Sequence, residues 1–301
     1  MYKKSSAYIL IIPLIIAFCI LIGWPLINVV KNSFYEATFL NPAQKTFTGW
    51  RNYTWLFTFK YPTPNISYFV AAFSRSLFWV ACSVLIKVII GLLAAVLLNS
   101  EYLYGKKIYR SLLIIPWAIP WAMAAMMWAW TLNGQFGIIN SILLNLHIIE
   151  QPVSFLSTNA SAFITTFIVD AWVGLPFMVI MLISGLQSIP DSLYEAADLD
   201  GAGDIRKFFR ITIPMIKPVL LTVSLLSMVW TFNSFDIIWV LTQGGPARAT
   251  ETLPIAIYNT SFRMIRLGGI GKASAMTIMQ VMVVTIISVF YIKTMQESEP
   301  K

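Results

Sequence analysis

Charged residues are scarce in this chain. They make up 11% of its 301 residues, whereas hydrophobic residues make up 58%. A soluble domain carries roughly 25% charged residues, and the mean hydropathy of +0.74 points the same way. The scarcity of charge therefore excludes an ordinary soluble domain and indicates an integral membrane protein.

The residue types that build catalytic and metal centres are also nearly missing. The sequence has one histidine, His147, and no cluster of Cys, His and Asp with the spacing of a metal site. Gly271-Lys272 is the nearest approach to a Walker A motif, but Ala273 follows it and the upstream glycine is missing. The sequence therefore predicts a protein that is not an enzyme, with no catalytic residue, no metal and no cofactor on this chain.

Cysteine is rare as well. Cys19 and Cys82 are the two cysteines, and both fall within long apolar stretches. Apolar surroundings keep a thiol protonated and unreactive. We expect two buried, unpaired thiols rather than a disulfide or a reactive site.

Long apolar runs dominate the rest of the sequence. Crossing about 30 Å of hydrocarbon takes about 20 mostly apolar residues in a helix, and six stretches are long enough. The first is longer than a signal-peptide core and has no small-residue cleavage site, so we expect it to be a retained span. We predict one all-α transmembrane domain over residues 1–301, with spans at 7–30, 76–98, 111–132, 162–186, 218–241 and 273–293.

The distribution of Lys and Arg predicts the orientation of these spans, because basic residues are enriched in cytoplasmic loops. Loop 133–161 has no Lys or Arg. We therefore expect both termini in the cytoplasm, and we assign the net charge of +8 to membrane topology rather than to nucleic-acid binding. The short loops on the cytoplasmic side carry Lys106, Lys107, Arg110, Arg206, Lys207, Arg210 and Lys217.

A charged segment, Asp191–Lys217, separates the fourth and fifth predicted spans. The spacing of Ser188 and Asp191 fits a capping box and predicts a helix that begins near Asp191. Gly201 predicts the end of that helix, and a second short helix is expected over 204–210. From the residues alone, an amphipathic loop lying on the lipid headgroups remains an alternative.

One pattern within this segment is more specific. It resembles the EAA loop of binding-protein-dependent ABC importer permeases, whose signature is E-A-A, three residues, G, nine residues and I-x-L-P. The sequence departs from the signature at Ile213, where leucine is usual. The matching residues are Glu195, Ala196, Ala197, Gly201, Ile211 and Pro214.

Four further segments are similar to the carbohydrate, MalF-like branch of these permeases. They lie before the second span, in the fourth span, in the last outer loop and at the start of the last span. They read GWRNYTWLF (Gly49–Phe57), WVGLP (Trp172–Pro176), TQGGPARATETLPIAIYNTSF (Thr242–Phe262) and GKASAMTI (Gly271–Ile278). The resemblance covers most of the chain from about residue 49 to residue 294.

The resemblance implies a fold and a set of partners. The fold is that of a type I ABC importer permease, in which loop 187–217 carries the coupling helix that docks on a separate ATPase subunit. The partners are a second, related permease, two cytoplasmic ATPase subunits that bind ATP and Mg²⁺, and an extracytoplasmic solute-binding protein. The binding protein would meet segments 31–75 and 243–272, and the complex would reside in the prokaryotic cytoplasmic (inner) membrane.

Three charged residues fall inside predicted spans: Lys87, Asp170 and Asp236. A charge at the centre of a membrane helix costs about 2.5–3.5 kcal/mol on insertion scales, so such residues face protein or water. Either acid could accept sugar hydroxyl groups, or Lys87 could pair with an acid on a neighbouring helix. Pairing is favoured for Lys87, whereas both interpretations stay open for Asp170.

Polar and aromatic residues cluster near these acids. Ring faces pack on the C–H groups of sugars, while amides, hydroxyls and carboxylates bind their hydroxyls. On a continuous helix, Trp230, Asn233 and Ser234 would share one face, and the resemblance places substrate contacts in this part of spans four and five. The predicted path residues are Asp170, Gly174, Phe177, Trp230, Thr231, Asn233, Ser234 and Asp236.

These observations predict the permease subunit of an ATP-driven importer for a mono- or oligosaccharide, working by alternating access. A permease for another solute, such as a polyamine or an organophosphate, is the alternative within the class. An ion-coupled secondary transporter would be expected to carry inverted repeats with matched broken helices, and the sequence shows no internal repeat.

Overall fold

A computed structural model of the chain describes residues 4–37, 45–62, 64–100, 102–264 and 269–296. Residues 38–44 and 265–268 belong to the segments expected to meet a binding protein and lie outside this described part. Within it, almost all regular structure is helical, and the prediction of an all-α membrane protein is confirmed.

The helices are α1 (Lys4–Phe18), α2 (Trp24–Ser33), α3 (Arg51–Thr58), α4 (Tyr68–Asn99), α5 (Lys106–Ala118), α6 (Trp121–Thr131), α7 (Ile138–Asn145), α8 (Asn159–Leu186), α9 (Asp191–Leu199), α10 (Asp204–Lys207), α11 (Ile213–Phe232), α12 (Asp236–Thr242), α13 (Leu253–Tyr258) and α14 (Ile270–Gln296). The described residues also contain three π-helical turns. Two of them join neighbouring helices, at Cys19–Gly23 and Phe208–Thr212, and the third extends α13 at Asn259–Arg263. Two short strands, β1 (Tyr35–Glu36) and β2 (Thr46–Phe47), pair antiparallel.

Five helical segments are long and apolar enough to cross a membrane, and a sixth span results if the bent pair α5–α6 is counted as one. They run over Ile11–Ser33, Tyr68–Asn99, Asn159–Leu186, Asp204–Phe232 and Ile270–Met295. Five of the six predicted spans overlap one of these segments, and the third coincides with the bent pair.

The predicted span 111–132 is broken. α5 and α6 meet at an angle of 98°, and Ile119 between them is extended, with ψ of 131°. Pro120 explains the break, because proline disfavours the helical conformation of the residue before it and cannot donate a backbone hydrogen bond. The predicted third span therefore consists of two helices with a sharp bend between them.

The fifth spanning helix begins and ends at other residues than the predicted span 218–241. α10, the π-helical turn and α11 form one helix over Asp204–Phe232, so the second loop helix expected at 204–210 is the beginning of this span. The helix ends at Phe232, and a separate helix, α12, begins at Asp236. The π-helical turn ends at Thr212, two residues before Pro214, and changes the hydrogen-bond ladder where the proline ring needs space.

The chain separates into two compact units. One unit comprises Met1–Ala72 with Ala256–Val283, and the other comprises Phe73–Ile255 with Val284–Lys301. The prediction that residues 1–301 form a single permease domain stays a prediction.

The larger unit is built around α8, which packs against α5, α6, α11 and α12. Its main core cluster includes Val179 and Leu182 of α8 together with Ile216 and Val223 of α11, all fully buried. A second cluster joins Val169 of α8 to α6 and α12. α8 is therefore the central helix of this unit, and it carries Asp170.

In the smaller unit, Asn52 of α3 fixes the loop after α2. Its side-chain amide donates hydrogen bonds to the carbonyl oxygens of Ser33 at 2.8 Å and Tyr35 at 2.9 Å. Tyr53 adds a hydroxyl contact of 2.9 Å to Ser33. The Asn-Tyr pair of the GWRNYTWLF segment thus has a structural role in holding a turn.

Both cysteines are free, but they are not both buried. Cys19 is exposed on the surface of the chain and Cys82 is partly buried. The expectation of a buried thiol was wrong for Cys19, because the most apolar window of the first span has no residue buried within the chain. That span turns its apolar side chains outward.

Candidate functional site

A buried ion pair joins two spanning helices. Nζ of Lys87 on α4 lies 2.5 Å from Oδ2 of Asp170 on α8, and neither side chain is more than 5% exposed. The same ammonium donates a hydrogen bond of 2.9 Å to Oγ1 of Thr231 on α11. Ser83, one turn before Lys87, donates a hydrogen bond to the Asp170 carboxylate. The network therefore connects α4, α8 and α11, and Lys87 pairs with Asp170 rather than with Asp236.

The pair leaves this region without net charge. Oδ2 of Asp170 receives both the Lys87 ammonium and the Ser83 hydroxyl, so this carboxylate oxygen is already engaged in the chain. Within the described residues, no group of three or more His, Cys, Asp or Glu side chains is placed to hold a metal ion. The site can offer neutral hydrogen-bonding groups and aromatic surface.

Gly174 contacts the ion pair. A Cβ atom at this position would lie 2.9 Å from Cε of Lys87 and 3.1 Å from its Nζ. The glycine follows Asp170 by one turn of α8, so it faces the same neighbour as the carboxylate. The absence of a side chain at Gly174 makes room for Lys87, which is a packing role that the sequence analysis did not assign to it.

Three aromatic rings form a row beside the network. The rings of Phe177 on α8 and Trp230 on α11 are 4.8 Å apart, and the ring of Trp117 on α5 lies 6.1 Å from Phe177. Trp230 is 40% exposed and Trp117 is 45% exposed. Their accessible ring faces can pack against the C–H groups of a sugar. Trp117 was missed because its position beside Phe177 depends on how α5 packs against α8.

Backbone geometry separates the polar residues that were expected to share one helix face. α11 ends at Phe232, Asn233 caps it, and Ser234 lies in the break before α12. The prediction that Trp230, Asn233 and Ser234 lie on one face of a helix was therefore wrong. Asn233 is exposed, and its amide donates a 2.8 Å hydrogen bond to the carbonyl oxygen of Val229.

The break between α11 and α12 places irregular backbone at the end of a spanning helix. Irregular backbone is tolerated within the hydrocarbon region only where protein buries it or where it lines a water-filled cavity. Ser234 is 3% exposed, and its hydroxyl has no hydrogen-bond partner in the described part of the chain. Asp236 is exposed in the first turn of α12, where a carboxylate is favoured by the helix dipole. It is not part of the fifth span.

The charged loop contains a surface helix that ends sharply. α9 begins at Asp191 as expected, but no side chain caps it, and Ser188 donates instead to the carbonyl oxygen of Gly185 at 2.7 Å. The capping-box prediction was wrong. Gly201 has φ of +70° directly after the helix, as its predicted role as a helix stop requires.

Two contacts tie α9 to the helix that leads into the membrane. The Tyr194 hydroxyl lies 2.9 Å from Oγ1 of Thr212. The Lys207 ammonium lies 2.8 Å from Asp198 and 3.0 Å from Asp204. Because exposed ion pairs contribute little stability, the partly buried Tyr194 is the stronger tether between the two segments.

The two halves of the EAA pattern have different surroundings. Glu195 and Ala196 are exposed and Ala197 is partly buried. Ile211 packs against the main core cluster, while Pro214 lies in the first turn of α11. One half is open to a partner and the other is anchored to a membrane helix.

Large apolar side chains accompany the exposed half. Leu199 is 90% exposed, Ile205 is 78% exposed and Phe209 is 65% exposed. Several large apolar side chains exposed on one charged loop are consistent with a protein-binding site. These apolar side chains were not predicted at this surface, where small and charged residues were expected.

A second buried acid was also missed. Glu251 is 1% exposed and its carboxylate lies 3.6 Å from Arg75 and 3.4 Å from Arg248. Nε of Arg75 also donates to the carbonyl oxygen of Glu251 at 3.0 Å, and Ser76 accepts from the backbone N–H of Leu253 at 2.6 Å. These contacts fix the GGP-containing loop against the first turns of α4. The separation of Arg75 and Glu251 along the chain gave no local signal of the contact.

A comparison with protein-family models matches residues 87–295 to a family described as "Binding-protein-dependent transport system inner membrane component". A probable ABC transporter permease protein of Brucella suis is 33% identical over 299 residues, which cover 99% of this chain and 99% of that protein. The trehalose/maltose transport system permease protein MalF of Thermococcus litoralis is 36% identical over 297 residues, covering 97% of this chain and 94% of that protein.

A solved structure shows the same fold. It is a chain from the crystal structure of a bacterial ABC transporter involved in the import of the acidic polysaccharide alginate. The TM-score is 0.79 at 21% sequence identity, with 98% of this chain and 96% of that chain covered. The helical arrangement described above is therefore that of an ABC importer permease.

Proposed function

The chain belongs to the family of binding-protein-dependent transport system inner membrane components, and we propose that it forms one half of the path for a sugar through an ABC importer. The observation that carries the proposal is the break between α11 and α12, which begins three residues after Trp230, a member of the aromatic row of Trp117, Phe177 and Trp230. A relative that is 36% identical is named for trehalose and maltose, which supports a carbohydrate as the solute.

The charge balance of the Lys87–Asp170 network favours a neutral solute. A polyamine would require an unpaired acid, and an organophosphate would require an unpaired base. Lys87 and Asp170 neutralise each other at 2.5 Å. A sugar needs aromatic faces and hydrogen-bonding groups instead, and the exposed Trp230 and Asn233 provide these.

One helix connects the charged loop to this path. The helix over Asp204–Phe232 begins in the loop and ends at the break. It is about 40 Å long at 1.5 Å per residue. A displacement of α9 and α10 by a partner is therefore transmitted along α11 to Trp230, and the Lys87 network carries it to α4 and α8. This connection would couple movement of the charged loop to the alternating access of the path.

The loop supplies the surface on which a motor acts. Glu195, Ala196, Ala197 and Gly201 would contact a cytoplasmic ATPase, while Ile211 and Pro214 anchor the loop to α11. Two such ATPase subunits would bind ATP and Mg²⁺, so that this chain catalyses no reaction. The exposed Leu199 would enter an apolar part of the same ATPase surface.

Two further partners complete the proposed importer. A second permease would form the other half of the path. A solute-binding protein would meet segments 31–75 and 243–272, and the family description, which names binding-protein-dependent transport, supports this partner. Both termini would lie in the cytoplasm, with the chain in the inner membrane.

The function is tested by uptake in cells that lack the chromosomal copy and carry the wild-type chain or a variant. The panel contains radiolabelled mono- and oligosaccharides, a polyamine and a sugar phosphate. We expect uptake of a neutral sugar that stops when ATP is depleted, and about a tenfold decrease for Trp230→Ala. Trp130→Ala is the matched control, because Trp130 is 70% exposed on α6, outside the aromatic row.

Two results would contradict the proposal. Uptake of the polyamine or the sugar phosphate without any sugar would show a different solute class. Equal uptake in Trp230→Ala and wild type, at equal amounts of protein in the membrane, would remove the aromatic row from the path.

A further inference from the structure

A cavity of about 260 Å³ lies at the ends of three helices, and its lining includes no predicted path residue and no residue of the EAA pattern. α4 ends at Asn99, α8 ends at Leu186, and α5 begins at Lys106. Because three spanning helices end or begin around it, the cavity lies at the level of one membrane surface. The orientation predicted from the basic residues makes this the cytoplasmic surface.

The lining of this cavity is mostly apolar and includes a single charged side chain. Leu98, Leu113 and Ile183 form much of the wall, and Ser184 and Gln187 add polar groups. Arg110 is the charged residue among the lining side chains. An apolar cleft with one cation and a polar rim matches a molecule that has both a hydrocarbon part and an anionic group.

Arg110 has unused hydrogen-bonding capacity. One of its terminal nitrogens, Nη2, donates to the carbonyl oxygen of Leu98 at 3.0 Å. Its Nε is shielded from solvent and has no acceptor among the described residues. A guanidinium presents its N–H donors in a planar fork that matches phosphate oxygens. Arg110 as a whole is partly exposed and lines the cavity, so its guanidinium can meet an anion that enters there.

The surrounding segment has the composition of a headgroup-level belt. Lys107 is exposed in this segment, and Tyr102 and Tyr104 are each 92% exposed. Exposed tyrosines are enriched at the membrane–water interface, and basic clusters next to spanning helices attract anionic lipids. The sequence from 101 to 110 contains one acid, Glu101, against three basic residues.

We propose that this cavity binds an anionic phospholipid, with the phosphate on Arg110 and the start of an acyl chain against the leucine and isoleucine wall. Pockets that enclose a drug-sized ligand measure roughly 300–1,000 Å³, so the cavity holds only part of a lipid. The remaining chain extends over the outer surface of α5, where Leu112 is 57% exposed. The proposal does not depend on which solute the protein transports.

The test is native mass spectrometry of the full-length protein, purified with its co-purifying partners and titrated with phosphatidylglycerol or phosphatidylcholine. We expect the wild type to prefer phosphatidylglycerol by about fivefold, as one basic contact near a membrane surface predicts. Arg110→Gln removes the charge, and Ile180→Trp fills the cavity while leaving Arg110 in place. Each variant should lose the preference.

Lys107→Gln is the matched control, because it removes an equal charge from an exposed residue outside the cavity lining. It should keep the preference. Retention of the preference in Ile180→Trp would show that Arg110 only caps α4 through Leu98. Equal losses of the phosphatidylglycerol preference in Lys107→Gln and Arg110→Gln would indicate diffuse surface charge. Displacement of the lipid by inorganic phosphate would indicate a small-anion site. Each of these three results would overturn the proposal.

Discussion

Gly174 of α8 lies against the side chain of Lys87 on α4, so closely that a Cβ atom at Gly174 would be 2.9 Å from Cε of Lys87. Lys87 cannot easily move away, because its ammonium is held by Asp170 and Thr231. The glycine and the ion pair therefore form one packed unit in the membrane interior. Its stability and its effect on transport can be tested separately.

Gly174→Ala should displace Lys87 and lower the free energy of unfolding by about 1–3 kcal/mol, the usual cost of an extra methyl group in a packed interior. Thermal unfolding of the detergent-purified protein measures this loss. Gly23→Ala is the control, since the nearest atom to a Cβ there is a backbone oxygen 4.0 Å away. Equal unfolding temperatures for the two variants would show that Lys87 is not confined by Gly174.

Lys87→Met should destabilise the protein by about 3–5 kcal/mol, because it leaves the Asp170 carboxylate charged and unpaired in the interior. The double variant Lys87→Met with Asp170→Leu removes both charges and should recover most of that loss. Thermal unfolding of the three proteins tests the pair. A double variant no more stable than Lys87→Met would show that the cost does not arise from an unpaired carboxylate.

Glu195→Lys should abolish uptake while the protein stays in the membrane in normal amounts. Glu195 is exposed on α9, so reversing its charge changes a docking surface rather than the packing of the chain. Asp191→Lys makes the same charge reversal at the start of the same helix, outside the EAA pattern, and should retain most uptake. If both variants transport equally well, the helix does not couple the chain to an ATPase.

Gly201 offers a sharper test of the same loop. Its φ is +70°, and no atom lies within 4 Å of a Cβ built there. Asn and Asp both visit this backbone conformation, so Gly201→Asn and Gly201→Asp should fold alike. Uptake should persist in part with Asn and be lost with Asp, because only Asp places a new charge at the proposed ATPase surface. Equal uptake in the two variants would mean that no partner approaches Gly201.

Hydropathy located the spanning helices because each must cover about 30 Å of hydrocarbon with apolar side chains. It could not locate their ends. At Ile119-Pro120 the sequence carried a signal, since proline restricts the residue before it. At Asn233 it did not: the break between α11 and α12 contains no proline or glycine, and apolar residues on both sides keep the average hydropathy high.

For the charged residues too, the sequence predicted one part of the structure and not the other. The cost of a charge in a membrane predicted that Lys87 needed a partner, and the sequence could offer both Asp170 and Asp236. The choice depends on the packing of α4 against α8, which no local pattern records. Glu251 was missed for the same reason, because Arg75 is distant in the sequence and close only in the fold.

Local patterns succeeded where the physics is local. Gly201 ends α9 because a positive φ is easily adopted without a Cβ, and this requirement is visible in the sequence. Ser188 was misjudged because its hydroxyl had two available partners. It bonds to the carbonyl oxygen of Gly185, and such local hydrogen bonds compete with capping.

The central claim is that this chain is the permease subunit of an importer whose motor is on other chains. The most direct measurement is purification of the tagged full-length chain from mildly solubilised membranes, followed by mass spectrometry of the proteins that accompany it. We expect a Walker A ATPase and a second permease with an EAA loop to accompany the wild-type chain. In Glu195→Lys the ATPase should be lost, whether or not the second permease remains. Recovery of the wild-type chain alone, or as a homodimer without any ATPase, would contradict it.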